Sequence, residues 1–320
     1  MAKPKVYVTR RIPERGMKLL QDACDVEVWP GELPTPRDIL LRKVADVDGL
    51  LCMLTEKIDA ELMDRAKKVK VIANLAVGFD NVDVAEASKR GIKIGNTPGV
   101  LTETTADFAF TLLMSAARRV VEGDRYTREG KWKTWGPMIL VGQDVHHATL
   151  GLVGLGRIGS EMAKRGKGFS MKVLYHDVFR RQDLERELGI TYCDFDTVLR
   201  ESDFVSVHVP LTPETKHLIN AESLRKMKKT AILINSARGP IVDTVALADA
   251  LKAGTIAGAG LDVTDPEPIP MDHPLVSAPN CVIAPHIASG SVETRAQMAE
   301  IAARNILEGI RGGKMPAPVN

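Results

Sequence analysis

Apolar positions along the chain fall into short runs, and between these runs lie stretches with helical periodicity. Runs at residues 6–9, 26–29, 49–54, 71–75 and 92–94 read as strands. Residues 14–23, 59–67 and 84–90 read as helices, the last stopped by Gly91. Such alternation predicts parallel strands joined by helical crossovers that cover both faces of a sheet.

The pattern breaks at Asn96-Thr97-Pro98-Gly99. Residues 104–122 then read as one long apolar-rich helix, and residues 130–142, which hold Trp132, Trp135 and Pro137, follow no period. Alternation restarts at Thr149 and continues through apolar runs at 172–175, 204–209, 231–235, 257–262 and 282–284. A final helix is expected over 293–310. The predicted class is α/β with two doubly wound parallel-sheet domains: residues 99–287 form one, and residues 1–98 with 288–320 form the other. The pattern alone does not show the tail returning to the first domain.

Composition narrows the function. A chain of 320 residues is long enough for about two domains. The 43 basic and 41 acidic side chains nearly balance, and no basic face or tail suggests nucleic acid. No apolar run approaches the ~20 residues of a membrane span, and no signal-like stretch opens the chain, so a cytoplasmic protein is expected. Cys24, Cys52, Cys193 and Cys281 are widely spaced and read as free thiols in a reducing compartment. No spacing suggests a metal site.

The run Gly154-Leu155-Gly156-Arg157-Ile158-Gly159 is a GxGxxG between an apolar strand and a helix expected over residues 160–167. The first glycine makes a tight turn, the second lets backbone approach a pyrophosphate, and the third lets the helix pack closely with its N-terminus toward the phosphates. Asp177 lies 177 − 159 = 18 residues further on, near the position of an acid that binds a ribose 2′-hydroxyl. Its charge favours NAD over NADP, while Arg180 and Arg181 leave a 2′-phosphate open as an alternative.

Three polar residues follow three strand ends: Arg238 in Asn235-Ser236-Ala237-Arg238-Gly239, Glu267 in Asp265-Pro266-Glu267-Pro268, and His286 in Ala284-Pro285-His286-Ile287. Ligands of open α/β sheets gather at such ends. A ketone that receives hydride needs a proton donor, and histidine titrates nearest neutrality. A carboxylate beside it favours imidazolium, and an arginine can hold a substrate carboxylate with paired hydrogen bonds. His208 is the rival histidine, expected inside a strand; His146, His147, His217 and His273 read as uninvolved.

Together with Ala76-Val77-Gly78-Phe79-Asp80, Asn96-Thr97-Pro98-Gly99-Val100-Leu101-Thr102 and the stretch from Gly260 to Pro268, these motifs resemble the D-isomer-specific 2-hydroxyacid dehydrogenases over essentially the whole chain, nearest the glyoxylate and hydroxypyruvate reductase branch. The resemblance implies a Rossmann nucleotide-binding domain and a flavodoxin-like substrate-binding domain. It implies reduction of a small 2-keto acid by NADH, with Arg238, Glu267 and His286 as the catalytic set. The substrate is expected at Leu54, Val77, Gly78, Arg238 and His286. The cofactor is expected at Thr105, Gly154, Leu155, Gly156, Arg157, Ile158, Gly159, Asp177, Pro210, Ser236, Ala237, Arg238, Asp262, His286 and Ala288, with Asp262 facing the nicotinamide amide. A homodimer is implied, and the apolar excess of residues 104–122 with Trp132, Trp135, Met138 and Ile139 suggests its centre.

Two departures from the family pattern are His146-His147-Ala148 before the nucleotide strand and Ala288 where glycine is common. Alternatives within the family are phosphoglycerate and phosphite dehydrogenases; formate enzymes carry Gln where this chain has Glu267. From another class, NAD-sensing corepressors share the triad but carry long disordered tails.

Overall fold

A computed structural model describes residues 2–320. The chain divides into two compact units, one holding the chain up to Leu101 together with Gly290–Asn320, the other Thr102–Ser289.

The first unit begins β1 (Lys5–Val8), α1 (Glu14–Ala23), β2 (Asp25–Val28), α2 (Arg37–Lys43), β3 (Gly49–Cys52), α3 (Ala60–Arg65), β4 (Val71–Asn74), α4 (Val84–Lys89) and β5 (Lys93–Gly95). All strands pair in parallel in the order β2-β1-β3-β4-β5, the flavodoxin-like winding. Strands β3 and β4 are buried at every position. Helices cover both of their faces, so they read in sequence as continuous apolar runs.

The second unit comprises α5 (Thr102–Ala117), α6 (Val120–Arg128), β6 (Thr149–Val153), α7 (Arg157–Gly168), β7 (Lys172–His176), α8 (Gln182–Leu188), β8 (Thr191–Tyr192), α9 (Phe195–Glu201), β9 (Phe204–Val207), α10 (Ala221–Lys226), β10 (Ile232–Asn235), α11 (Thr244–Lys252), β11 (Gly258–Leu261) and β12 (Cys281–Ile283). Its parallel sheet runs β12-β11-β10-β9-β6-β7-β8, a Rossmann order with one further strand. Side chains alternate across it. Leu150, Leu152, Ile232 and Ile234 join a core under α5 and α7, while Val153, Val205, Leu233 and Ala259 join the core on the other face.

The closing helix α12 (Val292–Arg311) returns to the first unit. Met298, Ala299, Ala302, Ala303 and Ile306 are buried, and Asn305 ties the helix to the Asn96 carbonyl and the Ala317 amide.

The single helix expected over residues 104–122 is two. Arg119 between them takes φ +52°, and the Ala117 carbonyl accepts from Gln143 N–H at 2.9 Å. Most of the apolar side chains of α5 fill its own unit: Ala106, Ala109, Phe110, Leu112 and Leu113 are buried. Short helices α2, α8, α9, α10 and α11 escaped the sequence reading, although Asp194, Asn220 and Asp243 cap three of them. All four cysteines are free thiols. Among the described residues, no helix is long and apolar enough to cross a membrane, and no group of three or more potential ligands is arranged to hold a metal ion.

Candidate active site

The winding of the second sheet reverses between β6 and β9, and in an open parallel sheet the crevice at such a point receives ligand. The turn leaving β6 is shaped for close approach. Gly154 takes φ +96°, and a Cβ on it would stand 2.8 Å from the His208 backbone just past β9. A Cβ on Gly159 would stand 2.3 Å from the Gly154 carbonyl oxygen, so α7 packs this tightly only with glycine there. Around Gly156, by contrast, the space is open, and no side chain caps the N-terminus of α7. Its first amides therefore lack intrahelical acceptors and face outward, beside exposed Arg157 and half-buried Ile158.

Asp177, one residue past β7, accepts Leu155 N–H at 2.6 Å and Phe179 N–H at 3.0 Å. Each carboxylate oxygen retains a lone pair for a hydroxyl. Arg180 is paired through two nitrogens with Glu185, whose carboxylate also accepts from the buried Tyr175 hydroxyl at 2.8 Å. Arg181 pairs in the same way with Asp183. Ser236, just past β10, has a buried Oγ with no hydrogen-bond partner. An open glycine, an uncapped helix start, a tethered acid and an orphaned hydroxyl fit a dinucleotide.

The candidate reacting residues are positioned by the next three strands of the same sheet. Asn235, buried at the end of β10, accepts Ala237 N–H at 3.0 Å and donates to the Arg238 carbonyl at 2.9 Å, shaping the turn that carries Arg238. A Cβ on Gly239 would lie 1.9 Å from the Thr264 carbonyl oxygen, which brings this turn against the loop after β11. On that loop Glu267 meets His286: Nδ1–H donates to Glu267 Oε1 at 2.6 Å. An ionised carboxylate only accepts, so Nδ1 carries the proton and Nε2 is left for chemistry. Both side chains keep some exposure, 25% and 34%.

His286 takes φ +57°, a conformation uncommon outside glycine. Asp262 braces it. The Asp262 carbonyl accepts His286 N–H at 2.9 Å, and its two carboxylate oxygens accept the Ile287 and Ala288 amides, each at 2.7 Å. Burial pushes the Asp262 carboxyl up, against the pull of those two amides. The resemblance implies that Asp262 faces the nicotinamide amide; in the structure its two carboxylate oxygens accept the amides that follow His286.

His208, the rival, lies beyond the end of β9 rather than inside it, with Nε2 2.8 Å from Ser206 Oγ. Burial pushes it down to about 4, so it is neutral near pH 7 and a poor proton donor. Thr105 is buried in the first turns of α5, Leu155 and Ala288 are buried, Ala237 is half-buried and Pro210 is exposed beyond β9.

In the first unit, Leu54 follows β3, and Val77-Gly78 lie on the loop after β4. Asn81 joins the two loops by donating to the Met53 and Glu56 carbonyls at 3.1 and 2.9 Å. Neither Asn81 nor Asn74 and Asn235 was singled out from sequence. Asn74 and Asn235 end apolar strands, whereas Asn81 lies further along the loop after β4.

Residues 110–288 match the D-isomer specific 2-hydroxyacid dehydrogenase, NAD binding domain family. Over 319 residues the chain is 56% identical to the glyoxylate reductase of Korarchaeum cryptofilum, covering 99% of this chain and 96% of that one. The fold superposes on a protein of Thermus thermophilus with a TM-score of 0.94 at 49% identity, covering 99% of this chain and 100% of that one. It also superposes on the NADPH-dependent glyoxylate/hydroxypyruvate reductase of Sinorhizobium meliloti, solved with NADP and malonate, with a TM-score of 0.86 at 34% identity, covering 99% and 97% of the two chains. A Rossmann sheet with its glycine turn, matched along the chain to these relatives, leaves one assignment: the chain belongs to the D-isomer-specific 2-hydroxyacid dehydrogenase family.

Proposed function

We propose that the chain reduces a small 2-keto acid, glyoxylate or hydroxypyruvate, to its 2-hydroxy acid with NADH. The observation that carries the reading is the 2.6 Å contact between His286 and Glu267 beside the Arg238 turn, at the carboxyl ends of three neighbouring strands. The second unit holds the cofactor on the glycine turn, and the first supplies the loops of Leu54 and Val77-Gly78 for substrate.

A bound dihydronicotinamide supplies the hydride. His286 Nε2 gives the proton to the keto oxygen, and Glu267 keeps the imidazole oriented through its hydrogen bond to Nδ1. Arg238 holds the substrate carboxylate and draws charge from the carbonyl. Asp262 holds the backbone that carries His286. NADH is preferred because Asp177 repels a 2′-phosphate, and because Arg180 and Arg181 are already engaged by Glu185 and Asp183. Leu54 and Leu75 are the candidate apolar wall beside the keto carbon, and no basic cluster near Leu54 or Val77 suits a phosphate, which favours small uncharged groups.

The assembly is a homodimer. With α5 largely committed to its own core, the surface available for pairing is α6 and the irregular segment after it, where Trp135 and Met138 are 79% and 82% exposed near Trp132, Ile139 and Val141. A monomer by light scattering at micromolar concentration would overturn this.

The function is tested by following NADH consumption with glyoxylate, hydroxypyruvate, pyruvate, 2-ketoisocaproate and phosphohydroxypyruvate. Glyoxylate or hydroxypyruvate is expected to give the highest kcat/KM. A bulky or phosphorylated acid ahead by about tenfold overturns the substrate, since one methylene is worth only about 1–3 kcal/mol in such a pocket. No turnover with any of them overturns the enzyme reading.

A further inference from the structure

The loop after β11 carries Glu267 between Pro266 and Pro268, neither of which has an amide hydrogen with which to pin the backbone. Two buried threonines fasten it through their hydroxyls. Thr244, the first residue of α11, donates Oγ1–H to the Asp265 carbonyl at 2.7 Å, and Thr264 donates Oγ1–H to the Pro266 carbonyl at 2.9 Å. The two residues are only 7% and 6% exposed, so both bonds lie away from bulk water. The Thr264 amide also donates to Glu267 Oε2 at 3.4 Å, on the same carboxylate whose Oε1 meets His286.

Each threonine is itself held. Thr244 follows Asp243, whose side chain caps α11 by accepting Ala246 N–H at 3.0 Å, so it sits on a capped first turn. Beside it stands His273, which read as uninvolved in the sequence. His273 Nδ1 accepts Leu275 N–H at 3.2 Å, which in the neutral ring leaves the proton on Nε2, 3.5 Å from Thr244 Oγ1. A hydroxyl that accepts from the imidazole while donating to a carbonyl has its orientation fixed. Thr264 is held from the other side by the Arg238 turn, since its carbonyl oxygen is the atom that a Cβ on Gly239 would meet at 1.9 Å.

We propose that Thr244 and Thr264 are positioning residues that hold the Glu267 carboxylate against His286 Nδ1. The proposal rests on the 2-keto acid reading above. The two hydroxyls fix the peptides on either side of Pro266, and the second of these peptides leads directly into Glu267. With that backbone fixed, Glu267 Oε1 stays in hydrogen-bond reach of Nδ1 and the imidazole keeps its aim. Loosening it lets the carboxylate drift, which slows proton delivery. The dinucleotide and the substrate carboxylate are held by other elements and bind as before.

The test compares wild type with Thr244→Val and Thr264→Val, which remove a hydroxyl at nearly constant shape, and with Thr244→Ser and Thr264→Ser, which keep it. Readouts are kcat and KM for glyoxylate, the Kd of NADH, and Tm. In each valine variant kcat is expected to fall about fivefold or more, with KM and the Kd of NADH within about twofold, and the serine variants are expected to recover most of the loss. A double-mutant cycle with Glu267→Ala, which leaves no carboxylate to position, then separates positioning from general damage. In that background either valine substitution is expected to change kcat by less than about twofold. A loss there as large as in wild type places the effect elsewhere and overturns the proposal, as does a fall in Tm with kcat unchanged. If one valine variant does not fold, the other decides by the same cycle. A wild type that reduces none of the keto acids with NADH defeats the functional reading instead, so the two failures are distinct.

Discussion

His286 and Glu267 stand 19 residues apart in sequence and 2.6 Å apart in space, on loops leaving two adjacent parallel strands. Removing either end has a distinct signature. His286→Ala lowers kcat by about 10²–10⁴, the usual worth of positioned proton transfer. Glu267→Gln keeps a neutral partner for Nδ1 but replaces the carboxylate acceptor, so activity survives while kcat falls, because the imidazole is held less firmly. An unchanged kcat in Glu267→Gln would remove Glu267 from the proton-donor pair.

The second and third glycines of the nucleotide turn separate folding from binding. Gly156→Ala adds a methyl group into open space, so Tm is expected to hold while NADH affinity falls about tenfold or more, because the pyrophosphate needs that approach. Gly159→Ala drives a methyl group to 2.3 Å from the Gly154 carbonyl, so Tm and NADH affinity fall together. Thermal melts and NADH fluorescence titration on both variants read the difference.

Asp177→Ser is expected to narrow the NADH over NADPH preference in kcat/KM by roughly tenfold, the size of one screened charge repulsion. Adding Glu185→Gln and Asp183→Asn releases Arg180 and Arg181 toward a 2′-phosphate and narrows it further. A wild type that already prefers NADPH would sink the assignment of Asp177.

His208 contributes a pH-dependent stability. Its folded pKa of about 4 lies below the ordinary value of 6.5, so the unfolded chain takes up the proton first. The stability is present above pH ~6.5, and up to about 3 kcal/mol is lost as pH falls toward 4. His208→Gln keeps a polar atom near Ser206 but does not titrate. The difference between the Tm–pH curves of the two proteins is expected to open below pH ~6.5 and level off below ~4. Parallel curves throughout would show that His208 is not held neutral.

Contiguous chemistry is legible in the order of residues alone. Gly154, Gly156 and Gly159 act within a single turn, so their spacing carries their geometry. Arg238, Glu267 and His286 can be named because alternation locates the strands, and parallel strands align their carboxyl ends. Features that depend on partners distant in sequence are not legible. At the break between α5 and α6 the Ala117 carbonyl accepts from the amide of Gln143, 26 residues further on. Arg180 and Arg181 read as candidate phosphate ligands in sequence, whereas in the fold Glu185 and Asp183 engage them. The roles of Asn74, Asn81 and Asn96 lie in which carbonyls their amides meet. An asparagine at a strand end has the same letter whether it caps a turn, faces water or fastens a loop. The periodic burial of apolar groups is a one-dimensional signal and determined the two sheets and the positions of the candidate reacting residues. Which carbonyls the amides of Asn74, at the end of β4, and Asn96, after β5, meet is a three-dimensional outcome, decided only when β4 and β5 lie side by side.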